Sequence, residues 1–185
     1  MKMLKKLLAV VLTGAIALTL LTACGSNAVT DKSIADALND MAKAQGEKVT
    51  FTPRPKEREL AKKIAELIEK ESATATVADG KDSSNNAAEE ELKRILGIDD
   101  GGANEESRFV WWGAVVADEI GTAGQAYNVM NNILSQKAVN AGKLTGKKPG
   151  NIRCMGTALG TMTFPGGEQK TVRFIVVTAE AVDKK

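Results

Sequence analysis

Residues 171–180, Thr-Val-Arg-Phe-Ile-Val-Val-Thr-Ala-Glu, constrain the fold more than any other stretch of this chain. Successive side chains of a strand point to opposite faces, which sets Val172, Phe174 and Val176 against Arg173, Ile175 and Val177. A strand that is apolar on both faces through its second half has to be central in a sheet or covered by helices. The apolar stretch before it, residues 152–164, reads as a second strand, and Pro-Gly-Gly-Glu-Gln between the two supplies turn residues. The pair is expected as an antiparallel hairpin.

The helices that would cover such a sheet are legible upstream. Ile34, Leu38, Met41 and Ala42 recur at helical spacing, with Asp31 or Ser33 available as a cap and Gly46 as a stop. "VTFTPRP" is extended, because proline disfavours helix in the residue before it, and Pro55 suits a first helical position. From there Leu60, Ile64, Leu67 and Ile68 form one apolar face of a helix over 55–71, whose charges read as a solvated face. A polar loop over 73–86 precedes a short helix over 87–96 that ends at Gly97. "FVWWGAVVADEI" fits a strand or a buried helix; it is read as extended through Trp112, with a helical turn over 114–119. Ala123, Tyr127, Met130 and Leu134 mark one face of a helix over 122–136. The expected class is α+β, an α-β-α sandwich of amphipathic helices packed on a small antiparallel sheet.

Composition excludes several chemistries. The chain has no His, so a Ser-His-Asp or Cys-His nucleophile and a His-ligated zinc site are ruled out. "DDGGANE" does not meet the calcium-loop pattern, and neither Gly-rich segment carries a phosphate-loop Lys-Ser/Thr signature. No metal and no cofactor are expected.

The first 26 residues follow the order of a secretory signal: Lys2, Lys5 and Lys6, then an apolar run over 7–21, then small residues. The run is shorter than the roughly 20 apolar residues of a spanning helix. Within it, Leu21-Thr22-Ala23-Cys24 resembles the lipobox of bacterial lipoproteins. The resemblance implies alkylation of the Cys24 thiol by diacylglycerol, cleavage just before it, and acylation (palmitate, for example) of the new amino terminus. At about 0.8 kcal/mol per buried methylene, two or more chains would hold the protein on the extracytoplasmic face of the cell membrane. The chain then divides into a signal peptide (1–23), a lipidated tether (24–32) and one domain (33–182). The formal charge of +2 belongs to the leader's lysines, so nothing in the charge balance points to nucleic acid. Cys154, the other of the two cysteines, is left without a partner in the chain.

"ALNDMAKAQGEKVTFTPRPKERELAKKIAELI", over 37–68, resembles the helix, extended link and helix that open the CAP superfamily of cysteine-rich secretory and pathogenesis-related proteins. "YNVMNNILS", "PGNIRCMGTALGTM" and "PGGEQKTVRFIVVTAE" are similar to its closing helix, loop, strand, turn and strand. The resemblance implies an α-β-α sandwich. Family members with the full cavity carry two His and two acidic residues, in some cases with a metal; here the His residues are missing and Glu119 stands in the place of one acid.

Phe109, Trp111, Trp112, Asp118 and Glu119 are the candidate ligand cleft. Adjacent tryptophans on a strand point oppositely, so at most one is expected in the core while the other covers it or lines a groove. Asp118 and Glu119 are either a solvated end of the strand or a carboxylate pair. Cys154 reads as a buried thiol behaving as a small hydrophobe. The expectation is a non-catalytic envelope binding or interaction module whose partners are the membrane, through its lipid, and an envelope ligand; the alternatives are a carboxylate-dependent envelope hydrolase and a small-ligand or lipid carrier.

Overall fold

In the computed structural model, residues 29–75, 84–98, 108–118, 120–164 and 167–184 are described. The signal, Cys24, most of the tether, Glu119 and most of the two polar inserts lie outside them. The fold is α+β. In chain order the elements are α1 (Asp31–Ala44), β1 (Thr50–Pro53), α2 (Pro55–Ala75), α3 (Ser84–Leu96), β2 (Arg108–Val116), α4 (Thr122–Asn128) running into a π-helix (Val129–Leu134), a 3₁₀ turn (Ala141–Lys143), β3 (Lys147–Thr163) and β4 (Gln169–Asp183).

The strands form one sheet in the order β1-β3-β4-β2, and β4 is a central strand paired to β3 and β2. Its alternation divides the interior. Val172, Phe174 and Val176, with Val110 and Ala114 of β2, pack under Ile64 and Ile68 of α2 and Leu92 and Leu96 of α3. Ile175 and Val177, with Phe109 and Trp111, pack under Ile34 and Leu38 of α1 and Val129 and Ile133. Helices therefore cover both faces, as a doubly apolar strand requires.

Four details differ from expectation. The sheet is mixed rather than antiparallel, because the proline-rich link forms β1 and pairs parallel to residues 152–155 of β3. β1 is four residues long at the sheet edge, and Pro55 opens α2 directly after it; Asn39 covers that edge, accepting from the Phe51 N–H at 2.6 Å and donating to its carbonyl at 3.0 Å. The α1 cap is Thr30 in a capping box with Ser33, and Asp31 turns inward instead. Residues 108–116 are strand throughout, with no helical turn over 114–116.

The helix over 122–136 changes type half-way and buries a different face: Ala126, Val129 and Ile133 are buried while Tyr127 is 50% exposed. In the widened stretch Asn131 donates to the Tyr127 carbonyl and the Ser135 hydroxyl donates to the Asn131 carbonyl, side-chain bonds that compete with the i→i−4 ladder. The wide turn sets Ile133 on Gly113, where a Cβ would lie 2.8 Å from Ile133 Cδ1.

Candidate functional site

The proposed cleft residues do not meet at one place. Phe109 and Trp111 share the α1 face, buried with ring centroids 6.1 Å apart. The Trp111 indole N–H donates to the Gln136 carbonyl at 3.0 Å, and the Arg153 guanidinium lies 5.1 Å from its ring centroid. Trp112 lies on the other face, partly buried against the α2 and α3 core. A single ligand cannot touch Phe109 and Trp112 together. Asp118 is exposed, and its carboxylate accepts from the Thr171 N–H at 2.6 Å, joining the end of β2 to the start of β4.

The buried polar chemistry lies elsewhere, in two clusters on opposite faces. The first joins α1, α2, β3, β4 and α4. Asp31 Oδ2 accepts from Arg58 Nε at 2.7 Å, and Asp31 Oδ1 accepts from the Thr157 hydroxyl at 2.6 Å. Arg173 donates through Nη1 to Thr157 Oγ1 at 3.0 Å, through Nε to Gln125 Oε1 at 2.8 Å and through Nη2 to the Val29 carbonyl at 3.0 Å. Gln125 Nε2 in turn donates to the Ile120 carbonyl. Arg173 and Thr157 sit on the α1 face of β4 and β3 by the same alternation that buries Ile175 and Met155. Burial pushes the Arg173 guanidinium below its ordinary pKa, and the Asp31 charge offsets this. Arg58, more exposed, is raised by its hydrogen bond to Asp31.

The second cluster sits under the first turn of α2. Glu57 is 1% exposed; its Oε1 accepts from the Thr178 hydroxyl at 2.7 Å and its Oε2 has no partner, alone among the buried side-chain N and O atoms of the described residues. Buried polar atoms are almost always paired, which makes this one notable. The expectation that α2's charges are all solvated fails here, because Glu57 falls on the stripe of Ala61, Ile64 and Ile68. That stripe can lie on the sheet because of Gly156: a Cβ there would be 2.0 Å from Arg58 N and 2.3 Å from Glu57 C. Next to Gly156 on the same face, Cys154 is half-buried and free, with Arg54 Nη1 donating to its Sγ at 3.2 Å.

Neither cluster stood out in the sequence, although Arg173 interrupts an apolar strand on a covered face and Glu57 is four residues before buried Ala61. Lys143 of the 3₁₀ turn donates through Nζ to the Ile98 carbonyl, and Lys147 at the start of β3 pairs with Asp183 at 2.8 Å. Among the described residues no three His, Cys, Asp or Glu side chains are grouped to hold a metal ion, and no helix is long and apolar enough to cross a membrane. No protein-family model, no curated protein and no solved structure matches the chain.

Proposed function

We propose that this chain is a lipoprotein of the bacterial cell envelope, a binding or interaction module with a CAP-like domain, held by lipid at Cys24 on the extracytoplasmic face of the membrane. The observation that carries the reading is Leu21-Thr22-Ala23-Cys24 placed directly at the end of a basic and then apolar leader. The order helix, short strand, two helices, strand, helix and hairpin supports the CAP-like part. The non-catalytic part is supported by the commitment of Asp31, Thr157, Arg173 and Gln125 to one another, which leaves them as ties between layers. Cys24→Ser is expected to move the protein from the membrane fraction to the soluble extracytoplasmic fraction, with loss of incorporated palmitate. Retention of the variant in the membrane refutes the anchor.

One observation favours a second reading, an envelope hydrolase that works through a carboxylate: the free Oε2 of buried Glu57. It requires cleavage of wall glycan or peptide by the purified protein and loss of that cleavage in Glu57→Gln. Absence of cleavage by the parent protein sinks it.

A further inference from the structure

We infer that the open edge of β3 around Leu159 lies against the bilayer that holds the anchor, so that the opposite end of the sheet points away from the membrane. The inference rests on the lipid-anchor reading. Its first support is the point at which the tether joins the domain. The Val29 carbonyl is held by Arg173 Nη2 at 3.0 Å, and Val29 is five residues after Cys24. At no more than about 3.6 Å per residue, that length keeps Val29 within roughly 18 Å of the lipidated sulfur.

The second support is what surrounds that point. Arg173 is paired in register with Leu159 of β3, so both side chains sit on one face of adjacent strands. Leu159 is 55% exposed, one of few large apolar side chains left open. β1 pairs only with residues 152–155 of β3, and among the described residues no strand covers the β3 edge beyond them. Arg58 of α2, exposed, reaches Asp31 at the start of α1, and Asp31 is bonded in turn to Thr157, two residues before Leu159 on β3. An exposed leucine on an open strand edge beside the point where the tether enters is a surface for a lipid interface.

α1 and the first half of β3 extend away from this point. α1 runs on from Thr30 for 14 residues, about 21 Å. Lys148, eleven residues before Leu159 on the same strand, is roughly 35 Å distant along it.

The test uses the full lipidated protein in vesicles of phosphatidylethanolamine and phosphatidylglycerol. A polarity-sensitive fluorophore is placed on Leu159→Cys, on Thr161→Cys as a second position on the same edge, and on Lys148→Cys, each in a Cys154→Ser background. Vesicle flotation reports the anchor separately from the probes. The expected result is flotation of all three, with blue-shifted emission and quenching by nitroxide-bearing lipid at positions 159 and 161 and neither effect at 148. Flotation with a probe at 159 and 161 that behaves like that at 148 overturns the docked edge and leaves the anchor standing. Failure to float overturns both.

Discussion

On one side of the sheet α2 touches β3 backbone to backbone at Gly156, while on the other α1 is joined to β3 and β4 through the side chains of Asp31, Thr157 and Arg173. The close side buries the Glu57 carboxylate with one oxygen, Oε2, unpaired. Among the described residues the side-chain-mediated side leaves no buried side-chain N or O atom unpaired, and both oxygens of Asp31 are bonded. The difference teaches that a helix seated on glycine gains contact at the expense of polar satisfaction, whereas one held off by a network can bury charge safely.

The largest expected effect comes from Gly156→Ala. The added methyl would meet the backbone of Arg58 and Glu57 rather than a movable side chain, so destabilisation of more than about 3 kcal/mol is expected, read from denaturant unfolding. A loss under about 1 kcal/mol would mean that α2 is not seated on the strand.

Arg173→Met comes next. It removes the donors to Thr157, Gln125 and Val29 from a residue that is 7% exposed. A cost of about 3 kcal/mol follows from the acceptors left unpaired, a drop in Tm of roughly 6–12 °C for a domain of this size. Full retention of Tm would show that the network is not a tie.

The smallest effect is expected from Glu57→Gln, which keeps the acceptor for Thr178 and replaces a buried carboxyl by an amide of the same shape. Stability should hold or rise by up to about 1 kcal/mol. A loss as large as that of Arg173→Met would show that the Glu57 carboxylate has a partner in solution, and the contrast between the faces would collapse.

The comparison also explains what could be read in advance. β4, the hairpin and the starts of α1 and α2 follow from period-two and period-3.6 patterns and from Pro55, because burial of apolar side chains sets them. β1 escaped because a proline-rich link carries no strand period and becomes a strand only by pairing with β3. Over 122–134 the buried stripe is Ala126, Val129 and Ile133 rather than the one through Tyr127, because both stripes are apolar at helical spacing and only packing on the sheet chooses between them. Phe109, Trp111 and Trp112 read in sequence as one candidate cleft, yet their strand divides them between two cores. The polar clusters were the least legible part. Asp31 and Thr157 are 126 residues apart, and only the assembled sheet makes them neighbours.

The central claim is the anchor at Cys24, and the mass of the mature amino terminus tests it most directly. In detergent-extracted protein the amino-terminal peptide is predicted to begin at Cys24 and to carry a diacylglyceryl thioether with an acylated amine. An amino-terminal peptide that begins elsewhere, or one that begins at Cys24 with a free thiol, would contradict the account.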